Sequence, residues 1–179
     1  MITDSDTIAA IATPAGRGGI GIVKISVQGA FTIVKAVFRP LKKRRDEAKE
    51  QSRQDSGVRE FKFQTHRLYY GHIIDPQNNS LLDEVLISAM KAPNTYTRED
   101  VVEINAHSGI FVLKEIFQLV VAAGASPAQP GEFTKRAFLN GRIDLVQAEE
   151  VIDLINARSG HAADLASRQL QTGGTASKL

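Results

Sequence analysis

Apolar positions recur at strand-like spacing in the first half of the chain and at helical spacing in the second. Thr7–Thr13 predicts a first strand, which Pro14 and the glycines at 16, 18, 19 and 21 break into a loop. Ile20–Ser26, rich in β-branched residues, predicts a second strand. Phe31, Val34 and Phe38 fall on one side of a short helix over 28–38, which Pro40 ends. From Leu41 to Arg59 apolar residues almost vanish, so an exposed loop is expected. Phe61–Asp75 predicts one or two strands, closed by the turn Asp75–Ser80. Asp83–Met90 and Val101–Ala106 predict two more, separated by the hydroxyl-rich loop Pro93–Asp100.

Ser108 is placed to cap a helix running to about Ala123, with Ile110, Leu113, Phe117 and Val120 as its buried stripe and Gly124 as its stop. Residues 131–140 predict a short helix. Asp144 and Gln147 have capping-box spacing ahead of a long amphipathic pattern (Ala148, Ile152, Ile155, Ala162, Ala166 and Leu170) with a weak point at Ser159-Gly160. The order β-β-α-β-β-β-α-α-α does not alternate. It predicts an α+β domain, a mixed or antiparallel sheet with helices packed on one face. The last helix has no partner later in the sequence. It must dock back, meet another chain or belong to a larger helical domain.

Composition narrows the class. The chain has 179 residues, 42% hydrophobic and 23% charged, as in an ordinary soluble protein. No apolar run has the length of a bilayer span, and the acidic start Met-Ile-Thr-Asp-Ser-Asp argues against a secretory or transit peptide. A cytoplasmic protein is expected, or one of an organellar stroma or matrix, with no membrane partner. The absence of cysteine excludes disulfides and thiol chemistry. A net charge of +2 is too small to argue for nucleic acid. The basic run Lys42-Lys-Arg-Arg45 offers contacts to RNA phosphates, but its acidic neighbours and lack of aromatics equally fit a solvated loop.

Candidate chemistry lies in four places. The loop Gly16-Arg-Gly-Gly-Ile-Gly21 is neither a Walker A loop nor a dinucleotide fingerprint, because a strand follows it rather than a helix. It is either a flexible hairpin connection or a backbone surface, with Arg17 beside it, for an anionic or planar polar ligand. Lys24 shares a strand face with Ile20 and Ile22, as an edge cation or as one facing a ligand. Glu103, Asn105 and His107 share a face of their strand, which is either its wet side or the wall of a polar pocket. A carboxylate there can accept two parallel hydrogen bonds from an amino-amidine edge such as that of a pterin. Glu132, Lys135, Arg136, Arg142 and Asp144 cluster in a short span, which fits a surface helix with compensating charges, although the glycines at 131 and 141 are harder to explain that way. No nucleophile, base and orienting group stand at a recognisable spacing, and no metal site is expected.

Three stretches, in order, resemble the MnmE/TrmE family of tRNA-modification GTPases: Asp6–Ser26, Lys91–His107 and Gln129–Ala157. The resemblance spans nearly the whole chain apart from 41–60. It implies a folate-binding and dimerisation α+β domain over 1–142, similar to the tetrahydrofolate-binding domain of glycine-cleavage T-protein. Residues 143–179 would begin a helical domain. It further implies a homodimer with 5-formyltetrahydrofolate near its interface. The family's folate-binding positions fall on Lys24, Glu103 and Arg142. Members usually carry Arg at the first and Lys at the third, so the charges persist while donor geometry changes. By this resemblance Glu103 grips the pterin's amino-amidine edge. Lys24 and Arg142 meet the ligand's carbonyl and carboxylate groups, and Arg17 and Tyr96 complete the wall.

Whole members of the family, by the same resemblance, hydrolyse GTP with Mg2+ and K+. They work with the flavin-dependent partner MnmG/GidA on tRNA. Together they place an aminomethyl or carboxymethylaminomethyl group on C5 of the wobble uridine U34, the folate supplying one carbon. This sequence contains no P-loop, so no GTPase activity is expected of it alone. Two rival readings are a non-catalytic RNA-binding module using Lys42–Arg45 and a stand-alone one-carbon transferase.

Overall fold

The computed structural model describes residues 6–14, 16, 18–27, 29–41, 61–157, 167, 168, 170 and 171. The basic run 42–45, Arg17, and Ala162 and Ala166 of the last stripe lie outside the described residues. Seven strands form one sheet: β1 (Ile8–Ile11), β2 (Ile20–Ser26), β3 (Phe38–Pro40), β4 (Arg67–Ile74), β5 (Leu81–Met90), β6 (Val101–His107) and β7 (Ser126–Pro127). Among the described residues, four helices accompany them: α1 (Ala30–Val37), α2 (Ile110–Ala122), α3 (Glu132–Leu139) and α4 (Leu145–Asn156). The strand order is β3-β4-β5-β6-β2-β1-β7. Neighbours run antiparallel except β1 and β7, which are parallel, so the sheet is mixed and the fold is α+β.

Alternation decides which face is dry. Val23 and Ile25 of β2, Val85 and Ile87 of β5, and Val102 and Ile104 of β6 point to one side and are buried. They meet Ile33, Val34 and Val37 of α1 and Leu113, Ile116 and Val120 of α2 in one core. Burying each of these side chains contributes about 1.5–3 kcal/mol over leaving it exposed. Gly21 lets α2 approach closely, because a Cβ there would run into the Leu113 side chain. The α2 stripe is rotated from the expected one. Ile116 is fully buried, whereas Ile110 is 68% exposed. The helix begins one residue later than expected, so Ile110 occupies its first turn, at the rim of the sheet.

Not every helix lies on that face. Ser26 and Lys24 point to the other side of β2, and α3 covers them there, with Phe133 near Lys24. The expectation of helices on a single face is therefore corrected: α1 and α2 pack on one side, while α3 and the 91–100 loop pack on the other. The expected strand over Phe61–Asp75 begins only at Arg67. Phe61 and Phe63 instead pack their rings edge-on against Tyr69, at 5.3 and 5.1 Å between centroids. β7 was not anticipated, since two residues carry no periodicity. The capping box at Asp144 and Gln147 forms as expected, with Gln147 N–H donating to Asp144 Oδ1 (2.8 Å) and Asp144 N–H to Gln147 Oε1 (3.1 Å). The helix it starts ends at Asn156, and Ile152 and Ile155 are 57% and 77% exposed.

Gly71 of β4 fixes the sheet edge. A Cβ there would lie inside contact distance of the Arg39 carbonyl oxygen and the Phe38 ring. Gly71→Ala is expected to cost about 1–3 kcal/mol, read as a lower melting temperature. An unchanged melt would mean that β3 moves aside freely.

Candidate functional site

The β2–β6 register sets Lys24 directly opposite Glu103. Lys24 Nζ lies 3.2 Å from Glu103 Oε1, and the side chains retain 24% and 25% of their exposure. A pair this wet adds little stability, at most about 1 kcal/mol. Its place is more telling than its energy, since the loop between β5 and β6 brings Tyr96 over it. Lys24 Nζ is 5.8 Å from the centroid of the Tyr96 ring and 5.8 Å from that of Phe133. The Arg142 guanidinium, just past α3, stands 4.9 Å from the Tyr96 centroid. Tyr96 Oη is 3.1 Å from Thr134 Oγ1, which ties the ring to α3.

Lys24 and Arg142 thus meet at the Tyr96 ring, with Glu103 joined to it through Lys24, although residues 24 and 142 are 118 positions apart in sequence. A cavity of about 420 Å³ opens beside Tyr96, lined by Met90, the segment Pro93–Tyr96, Arg98 and Arg142. Lys24 and Glu103 do not line it and adjoin it through Tyr96. The ring contacts therefore define the site better than the cavity outline does. Arg17 lies outside the described residues. Its neighbour Gly18 is held at the far end of β6, where its N–H donates to Ser108 Oγ at 2.8 Å and its carbonyl accepts from the same hydroxyl. Ser108 is therefore not the helix cap that its position suggested. Gly109 takes that place without a side-chain bond, because the hydroxyl is spent on the glycine loop.

Residue-type reasoning also missed what holds the 91–100 loop. Arg136, read as one member of a surface charge cluster, is 2% exposed. Its Nη2 donates to Glu132 Oε1 at 2.9 Å and to the Asp6 carbonyl at 3.0 Å. Its Nη1 sits 3.7 Å from Glu99 Oε1, an ion pair too long to be a hydrogen bond. Glu99 Oε2 accepts from Ser26 Oγ at 2.9 Å, and that hydroxyl is 2.7 Å from Thr97 Oγ1. Asn140 Nδ2 donates to the Thr97 carbonyl at 2.7 Å. The loop presenting Tyr96 is thereby joined to β2 and α3. The only sequence signal was helical spacing, which puts Glu132 one turn from Arg136.

At the other end of β6, Asp83 accepts from the His107 backbone N–H (2.9 Å) and contacts its Nδ1 (2.7 Å). That hydrogen bond, then the charge of Asp83, holds the exposed imidazole above its ordinary value of 6.5, with Glu84 adding to the effect. A raised folded value means that the stabilisation is complete below the unfolded value and is lost as pH rises through the folded one. Proton NMR is expected to show His107 titrating above an ordinary histidine. Asp83→Asn should return it towards that range, and an unmoved titration would remove Asp83 as the cause.

The family model of the GTP-binding protein TrmE N-terminus matches residues 7–142, most of the chain. The chain belongs to the TrmE family. It is 51% identical to the tRNA modification GTPase MnmE of Enterococcus faecalis, over 92% of this chain and 32% of that protein. It is 49% identical to the MnmE of Streptococcus sanguinis, over 95% and 34%, and 51% identical to that of Acetivibrio thermocellus, over 93% and 33%. The TrmE-family chain thus spans about a third of the length of these relatives. None of its helices among the described residues is long and apolar enough to cross a membrane.

Proposed function

We propose that this TrmE-family chain is the reduced-folate-binding and homodimerisation module of a tRNA-modification GTPase. The grouping of Lys24, Glu103 and Arg142 around Tyr96 carries this reading. Each part matches a part of 5-formyltetrahydrofolate. A carboxylate takes two parallel N–H donors of a pteridine edge. An aromatic wall suits a planar ring. Arg142, at the cavity wall, suits the carboxylates of the ligand's tail. The open depression of about 420 Å³ beside Tyr96 leaves room for the tail of the ligand. Lys24 already holds one oxygen of Glu103, so the acid is oriented before the ligand arrives. The residues present therefore fit the group.

A second copy has a surface available to it. Leu68, Tyr70 and Leu86 stand on the face away from α1 and α2 and are 65%, 49% and 41% exposed. Ladder pairing of Tyr70 with Leu86, and of Leu68 with Ser88, makes them contiguous. In the whole protein, GTP hydrolysis with Mg2+ and K+ belongs to the remaining two thirds of the chain. Modification of tRNA U34 with an MnmG/GidA-type flavoprotein belongs to the assembly. The relatives' name, tRNA modification GTPase, supports that context.

Titration calorimetry of the chain with 5-formyltetrahydrofolate tests the ligand, and sedimentation at several protein concentrations tests the dimer. Saturable heat and a dimer are expected. A folded dimer that gives no heat would remove the folate, and a monomer at every concentration would remove the self-association.

A further inference from the structure

The cavity beside Tyr96 has two guanidinium groups in its wall, Arg98 and Arg142, and no carboxylate. Of the acids close by, Glu103 is matched by Lys24, Glu99 by Arg136, and Asp100 accepts from the Ala92 backbone N–H. Arg98 is held in place at a conformational cost. Its backbone has φ of +58°, a left-handed value that a side chain other than glycine's disfavours. Its Nη1 donates to the Asn140 carbonyl at the end of α3, 3.1 Å away, beside Gly141 and hence next to Arg142 in sequence. That bond uses one of the guanidinium's five donors, and the charge remains. An exposed arginine fixed in this way on a cavity wall, in a strained backbone, has no partner among the described residues that requires a cation. A backbone carbonyl would accept from a neutral donor as well.

We propose that Arg98 and Arg142 form a polycarboxylate subsite that takes the glutamyl tail of the folate and so selects ligands with extended tails. This rests on the folate reading above and adds a residue, Arg98, and a ligand class to it. With the pteridine edge at Glu103, a tail passing Tyr96 reaches the cavity. A monoglutamate tail carries two carboxylates, and each further γ-linked residue adds one. Arg142 and Arg98 together match two carboxylates, and each further carboxylate of a longer tail brings more negative charge into the field of the same two cations. Pairs of this kind stay wet, so the advantage is modest and weakens with salt.

Calorimetry with the mono- and triglutamate forms of 5-formyltetrahydrofolate, at low and high salt, tests the subsite. The triglutamate should bind about three- to fivefold tighter at low salt, and the gap should narrow as salt rises. Arg98→Gly should abolish the preference. Glycine suits the left-handed backbone, so the variant folds without the strain that arginine bears there. Arg98→Lys, which keeps the charge, should retain part of it. Equal affinities in the unmodified chain, or a preference that survives Arg98→Gly, would overturn the subsite while leaving the folate site standing. Binding of neither form would overturn both.

Discussion

Arg136→Leu is expected to destabilise the fold by about 3–5 kcal/mol, the usual result of removing one partner from a buried ion pair. The guanidinium is 3% exposed, with Glu132 at 10% and Glu99 at 19%. Leucine would fill the space but leave two carboxylates facing a site from which water is largely excluded. It would also strip a donor from the Asp6 carbonyl. Arg136 Nε and Nη1 are buried without a hydrogen-bond partner, so the native arrangement already bears some unsatisfied donors. The cost of the substitution comes from orphaned acids rather than from lost bonds alone. Urea denaturation measures it. Adding Glu132→Gln to Arg136→Leu should recover part of the loss, because it removes one of the stranded charges. A single variant within about 1 kcal/mol of the parent, the range of an exposed pair, would show that water reaches the cluster and that Arg136 is not the tie between α3 and the loop.

The parts of the fold that were legible in the sequence are those set by local periodicity and capping. β2, β5, β6 and α2 came from alternation or helical spacing, and the cap of α4 from Asp144 and Gln147. The Lys24–Glu103 pair was half legible, because each strand announced its own polar residue while only the register made them partners. What did not show is what long-range contacts decide. Ser108 looked like a cap because a hydroxyl before a helix usually is one, yet the glycine loop from 90 residues earlier claimed it. Arg136 looked like a surface charge because arginines usually are, and its burial is made tolerable by Glu132 one turn away together with the distant Glu99 and Asp6 carbonyl. The residues that position the Tyr96 loop are for the same reason harder to find than those that line it.

Glu103→Ala should weaken 5-formyltetrahydrofolate binding about 100-fold or more, while changing stability by less than about 1 kcal/mol. The contrast follows from what each state asks of the carboxylate. Without ligand it faces Lys24 at 3.2 Å in a site one-quarter exposed, where an ion pair is worth little. With ligand, two N–H donors of the pteridine edge would be drawn out of water against it. Hydrogen bonds to a charged acceptor are worth about 1.5–3 kcal/mol each. Losing both exceeds the roughly 2.7 kcal/mol that corresponds to a factor of 100. Lys24→Met should cost less, because the cation orients the acid and need not meet the edge itself. The order of the two losses is the decisive readout. If Lys24→Met proves the more damaging while both variants melt normally, the ligand is held by its anionic or carbonyl groups. The amino-amidine contact at Glu103 would then have to be abandoned.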